Sequence, residues 1–423
     1  MIQHEWGIDV LRFLTLLTAL SAASSAYAAS LHPIRAFTDP VRDLSYFGYN
    51  VAAEGEYALI NAPLRYGQQP EGTAGTYLVN VKTGDTLHRF EHGGGLLSTS
   101  QAALSGKHVV VGDALGRDRA SGSVYIFDRD SGALRHTLKS PTPKSSPLDQ
   151  DLFGDSVSAQ GDRVLVGAPM DGRGAAYLYD ARTGALVQTF SPPRDNDIYS
   201  NWGQSVALDG SLAIVASLHN GFLDVFDVRT GLHVNTIEQP RSDLSRFGQT
   251  LSAHNGKLLV GAGQQDLKPR TASAFLYDLG TGELLHSFAD PFSNPSPNAG
   301  PTFGFSVSLF NDLALIGAPL NWVANTPNAG TAYLFNAFTG RLLQRIVNPF
   351  PENGASFGEG LALSSFGALI GAYYSGQGDG AAYWFSFDPD DAPVPVPAPP
   401  ALLLALSTLS IFGLIRSRLR SLR

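Results

Sequence analysis

The sequence predicts an all-β fold, a seven-bladed β-propeller closed by its own N-terminal strand. Three observations carry that expectation. Gly (45 residues) and Pro (26) are abundant while Met (2) is scarce, which suits many short strands and turns. Between residues 31 and 388 no long window keeps i, i+3, i+4 apolar spacing free of Gly and Pro, so helix is the minority state. An aromatic-Gly pair also recurs at a fixed distance from a cluster of small residues.

The pairs are Phe47-Gly48, Phe153-Gly154, Trp202-Gly203, Phe247-Gly248, Phe303-Gly304 and Phe357-Gly358. Fourteen residues after each aromatic stand Asn61-Ala62-Pro63, Gly167-Ala168-Pro169, Ala216-Ser217-Leu218, Gly261-Ala262-Gly263, Gly317-Ala318-Pro319 and Gly371-Ala372-Tyr373. A seventh copy, Gly112-Asp113-Ala114, has Ser98 in the aromatic position. Each unit continues with an alternating aromatic strand such as "AAYLYD" (175–180), a Thr-Gly or Ser-Gly turn, and a further strand such as "ALVQTF" (185–190). Gly fits a turn position with positive φ. Four short strands per unit of about 45–55 residues is the pattern of a propeller blade. Second strands such as "VLVGAP" and "HVVVGD" are nearly continuous apolar runs, as expected for strands covered on both faces.

Six units own a final strand, but the seventh stops after "AAYWFSFDPDD". The missing piece stands at the other end of the chain. Phe37-Thr38-Asp39-Pro40 matches Phe288-Ala289-Asp290-Pro291, which follows a complete unit. Residues 31–40 are therefore expected to complete the last blade and cover its open edge.

The flanks read differently. Residues 1–28 read as a signal peptide forming a helix: Arg12 precedes "FLTLLTALSAA", and Ala26-Tyr27-Ala28 offers the small residues of a cleavage site. After the propeller domain, 31–388, come a Pro-rich linker and sorting motif, 389–400, and an apolar helix with an Arg-rich tail, 401–423. The apolar run 401–415 would span about 22 Å as a helix, short for a full crossing unless preceding residues join it. The chain has no Cys, which excludes disulfides, thiolate metal ligands and a lipid-accepting cysteine. Of the net charge of −8, residues 1–30 hold −1 and 389–423 hold +2, which leaves −9 on the body. An acidic body with no basic cluster argues against nucleic acid as a partner.

The aromatic-Gly and Gly-Ala-Pro pattern resembles the FG-GAP repeat, known from integrin α-subunit propellers and bacterial surface proteins. The resemblance implies a non-enzymatic binding or structural propeller. Many such repeats carry an Asp-x-Asp-x-Asp-Gly calcium loop; here that space is a short turn, as in "SAQGDRVLV" (158–166), so no metal and no cofactor is expected. The half "YLYDARTGALVQTF" is also similar to the quinoprotein propeller repeat, without its recurring Trp. The tail from Val394 onward is similar to the PEP-CTERM sorting signal: Pro395 and Pro397 in the motif, then the apolar run, then Arg416, Arg418, Arg420 and Arg423, which would stay cytoplasmic. That resemblance implies recognition by an envelope sorting protease-transpeptidase and delivery to the cell surface, with the membrane contacted at least transiently. Hydropathy is equally served by a permanent C-terminal anchor.

Two stretches imitate an esterase, "GASFG" (354–358) and "HGGG" (92–95). Ser356, however, only precedes the repeat's Phe357-Gly358, and no helix follows as a nucleophile elbow requires. His88, His136 and His286 fall four residues after a turn Gly, where other units have Gln188, Asn235 and Gln344, so they read as a half-exposed strand position rather than as metal ligands. The loops joining strands two to three, and blade to blade, are long and emerge on one face. That face carries Arg65, Tyr66, Tyr199, Trp322, Asn325, Tyr373 and Tyr374, a set suited to a polysaccharide or another surface protein. The competing expectation is an envelope enzyme, a polysaccharide lyase or a quinone-dependent dehydrogenase, with ionisable groups from several blades converging on the channel mouth.

Overall fold

The computed structural model describes residues 30–41, 46–63, 75–91, 101–115, 121–144, 149–194, 201–242, 244, 246–263, 273–292 and 302–389. The expected signal helix, the sorting motif and the apolar tail lie outside them. Seven four-stranded antiparallel sheets form, six from consecutive strands. The seventh has the order His32–Thr38, Ala381–Ser386, Gly367–Ala372, Leu361–Leu363, with the N-terminal strand outermost. Phe37 pairs with Ala382 and Ala36 with Tyr383, so the two ends of the body share one sheet. Among the described residues helix is confined to the single turn Ser375–Gly378.

Innermost strands touch their neighbours around the ring, blade seven against blade one included. The repeat motif explains how the blades approach. Within a blade, the amide of the aromatic-Gly glycine donates to the small cluster's first carbonyl: Gly358 to Gly371 at 2.9 Å, Gly48 to Asn61 at 2.9 Å. Between blades, the same glycine presses its carbonyl against the preceding blade's cluster. A Cβ on Gly371 would overlap the Gly48 oxygen, and one on Gly317 the Gly358 oxygen. Gly48 itself has φ +88°, which favours glycine. The two halves of the motif are thus the two sides of one inter-blade contact, repeated at the closure.

Two further devices link the blades. On the perimeter, the half-buried residue of four outer strands hydrogen-bonds a backbone carbonyl at the next blade's Thr-Gly or Ser-Gly turn. His88 Nε2 meets the Asp130 carbonyl (3.1 Å), His136 that of Arg182 (3.0 Å), His286 that of Phe338 (2.9 Å) and Arg35 Nη2 that of Lys82 (3.3 Å). These histidines are staples. At blade seven the turn is absent because the chain is cut there, and Gln344 bonds both backbone groups of Leu31 instead, at 2.7 and 2.8 Å. Beneath them, the Asp of Asp-Pro latches the next blade's third strand. Asp39 accepts from the Val41 amide (2.9 Å) and the Tyr77 hydroxyl (3.1 Å), and Asp290 makes the same pair with Phe292 and Tyr333. The equivalence of 37–40 and 288–291 is therefore one of role as well as sequence.

In five blades the third strand carries a Tyr at its third position, as at Tyr77, Tyr125, Tyr177, Tyr333 and Tyr383, and blade five has Phe275. The aromatic of the motif packs on it; the Phe47 and Tyr77 ring centres are 5.3 Å apart. Blade four replaces both partners. Trp202 stands for Phe and Asp224 for Tyr, and the indole Nε1–H donates to the fully buried carboxylate at 2.9 Å. Thr236 (2.8 Å) and His233 (3.1 Å) bond the other oxygen, and Arg194 lies 3.8 Å away. A buried carboxylate needs such donors.

Candidate functional site at the channel mouth

The innermost strands enclose a central channel of about 470 Å³ lined mainly by Ala, Ser, Leu and Val. Serines of one blade satisfy the free strand edge of the next. Ser158, Ser252 and Ser308 accept from the Leu208, Leu309 and Leu363 amides at 2.9–3.0 Å. Among the described lining residues there is no Lys or Arg; the ionisable groups are Glu54 and His254 at one end and Glu359 at the other.

Glu359 occupies the position after the motif glycine, on the face bearing the long loops. The equivalent residues are Tyr49, Asp155, Gln204, Gln249 and Phe305, all half-buried. These side chains converge. Gln204 donates to Asp155 at 2.9 Å from the adjacent blade, and Tyr49 of blade one feels both Glu359 of blade seven and Asp155 of blade three. Non-neighbouring blades interact in this way only across the axis. Removal from bulk water pushes the Glu359 carboxyl up to about 8. Burial, then the Glu359 charge, holds the Tyr49 and Tyr373 hydroxyls well above the usual phenol range, so both are neutral donors at physiological pH.

Beside the mouth, at the seam between blades seven and one, four tyrosines meet. Tyr373 contacts Tyr46 edge-on at 5.2 Å, Tyr49 at 5.3 Å and Tyr374 at 4.7 Å between ring centres. The Tyr46 and Tyr374 hydroxyls are 3.3 Å apart. Edge-to-face packing suits the ring quadrupoles and fixes the hydroxyl positions.

Of the residues expected to bind ligand, Tyr373 and Tyr374 lie in this cluster. Trp322 and Asn325 do not; they sit in the neighbouring loop of blade six. That loop reaches the cluster through backbone bonds, Ser356 N to Asn328 O (3.0 Å) and Tyr374 N to Ala355 O (3.3 Å). Trp322 Nε1 is buried with no hydrogen-bond partner among the described residues, while Asn325 is exposed. Arg65, Tyr66 and Tyr199 lie outside the described residues, as do Pro395, Pro397, Arg416, Arg418 and Arg420. Sequence reasoning missed Tyr46, Tyr49, Asp155 and Glu359. The signal was present, since the residue after each motif glycine varies while its neighbours hold to type.

Ser356 is buried, has φ +55° and donates to the Gly354 carbonyl at 3.3 Å, and an inner strand follows it. Leu152 and Asn201, at the same repeat position, also have positive φ. Its geometry is that of the repeat and not of a nucleophile elbow. Among the described residues no three His, Asp or Glu side chains gather as metal ligands.

The FG-GAP repeat family matches residues 145–179 and 296–335. These two spans are similar to FG-GAP repeats. The matched spans begin before the motifs at Phe153 and Phe303 and run to the third strands of blades three and six. No curated protein matches the chain. A β-propeller with spans similar to FG-GAP repeats fits a binding or structural module.

Proposed function

We propose that this protein is exported and held at a bacterial envelope surface, where the long-loop face of its propeller binds an extracellular polysaccharide. The observation that carries the reading is the tyrosine cluster of Tyr46, Tyr49, Tyr373 and Tyr374 beside an open, acidic channel mouth. Half-buried rings with fixed hydroxyls offer sugars both stacking faces and hydrogen-bond groups, at small cost in side-chain entropy. Export rests on residues 1–28, and surface sorting by an envelope protease-transpeptidase rests on Pro395, Pro397 and the arginines of the tail.

A glycan array probed with the mature protein tests this. Binding to a defined set of acidic or neutral glycans is expected, with a loss of at least tenfold in Tyr373→Ala/Tyr374→Ala. An empty array, or equal binding by the variant, refutes it, and capture of an envelope protein at the same face would assign the site to a protein partner instead. A second reading has one observation behind it: Glu359, Asp155 and Tyr49 converge from three blades, as an enzyme would require. Turnover of a bound glycan, lost in Glu359→Gln, would favour that reading.

A further inference from the structure

We propose that the end of the propeller carrying the short turns, opposite the tyrosine cluster, is a lipid-contact face that lies against a bilayer when the chain is tethered through residues 401–415. The inference concerns a second surface and stands whatever the aromatic face binds.

The first observation is where apolar surface is exposed. Fourteen large apolar side chains are exposed among the described residues, and only Val41, Met170, Phe292 and Val347 stand at the long-loop end. The other ten lie at the short-turn end, and every blade contributes at least one. Leu134, Leu186 and Leu284 open outer strands just after a Ser-Gly or Thr-Gly turn, Leu232 and Phe338 lie in such connections, and Phe366 tips the hairpin between the first two strands of blade seven. Phe338 is 74% exposed and Leu232 67%. A single protein partner calls for one compact apolar patch; single residues spread around a whole ring fit a flat, extended partner.

The second observation is where the chain leaves the body. The Ala381–Ser386 strand runs toward the short-turn end, and the Phe387 amide donates to the Phe366 carbonyl at 3.0 Å. The chain leading to the tail therefore departs from the same rim, beside one of its aromatic side chains. Residues 390–400 can reach at most about 40 Å from there before the apolar run "ALLLALSTLSIFGLI" (401–415) begins. That run is short for a crossing, about 22 Å as a helix against a hydrocarbon core of about 30 Å. A weak anchor becomes firm when a second contact accompanies it. Tethering makes that second contact intramolecular, so scattered side chains suffice for it.

The third observation sets the kind of attraction. Cations and carboxylates share the turns of this end and pair with one another, as Arg129 does with Asp130 at 2.9 Å and Lys257 with Asp312 at 3.7 Å. Lys82 stacks its ammonium on the Phe366 ring, 3.9 Å from the centre. With both signs interspersed, the contact is apolar and does not depend on ionic strength.

Because the chain has no Cys, single cysteines report position cleanly. Phe338→Cys, Leu232→Cys and Leu134→Cys at the short-turn end, with Met170→Cys and Phe292→Cys at the other, are spin-labelled in the full chain and bound to vesicles of phosphatidylethanolamine and phosphatidylglycerol. The first three labels are expected to lose roughly threefold or more of their accessibility to an aqueous nickel quencher, also in ~1 M salt, where the Debye length is about 3 Å. The last two should not change. Adding Phe338→Asp and Phe366→Asp together should expose the label of Leu134→Cys again while the tail keeps the protein on the vesicle. Equal shielding at both ends, shielding confined to positions 170 and 292, loss of shielding in high salt, or no vesicle binding overturns the proposal. Shielding of the first three labels without lipid, growing with protein concentration, would assign the face to a second copy of the chain and overturn it as well.

Discussion

Blade four offers a test of whether its two departures from the repeat are one compensated change. Trp202→Phe removes a 2.9 Å hydrogen bond to a fully buried carboxylate, about 1.5–3 kcal/mol for a charged acceptor. The lost ring atoms of a completely buried indole add a cavity worth roughly 1–2 kcal/mol. Asp224→Tyr leaves the indole N–H without its acceptor and forces a phenol against a Trp sized for a carboxylate, about 3–5 kcal/mol together. Additive effects would cost the double variant about 5.5–10 kcal/mol. The double variant instead recreates the Phe–Tyr stack of the other blades, such as Phe303 with Tyr333 at 5.5 Å, while half-exposed His233 and Thr236 turn to solvent. It should be less destabilised than the sum of the single variants by at least about 2 kcal/mol. Urea unfolding followed by circular dichroism measures all four proteins. Additivity within about 0.5 kcal/mol would refute the pairing.

Two other expectations follow from the closure and the blade contact. Deleting residues 31–40 exposes the edge of the Ala381–Ser386 strand and removes buried Leu31, Ile34 and Phe37, so a single cooperative thermal transition should be lost, and a peptide of that sequence added in excess should restore it in part. Gly317→Ala places a methyl against the Gly358 carbonyl of the next blade and should cost about 3 kcal/mol or more, whereas Gly161→Ala, where no atom lies within 4 Å of the added carbon, should cost only the strain of its φ of +58°. Equal melting temperatures for these two variants would remove the inter-blade account of the motif.

Much of this molecule is legible in the primary sequence because a propeller blade is a local object. Phe357-Gly358, Gly371-Ala372 and their equivalents lie a constant fourteen residues apart, and the missing last strand can be counted from the chain itself. Strand type, blade number and the reuse of 37–40 in the role of 288–291 all follow from periods shorter than one blade. The histidines at 88, 136 and 286 show where that legibility stops. Their shared slot in the repeat is visible in the sequence, but their partners at Asp130, Arg182 and Phe338 belong to the next blade.

The channel mouth lies further from what a linear reading can reach. Tyr49, Asp155 and Glu359 are separated by more than a hundred residues each, and only rotation of successive blades about one axis turns a shared repeat position into a shared site. The sequence by itself determined how many blades there are and how the circle is fastened, because those depend on backbone pairing and on glycines within each unit. The tertiary structure alone decided which side chains meet at the centre, because the distance across the axis depends on closing the ring and not on any spacing along the chain.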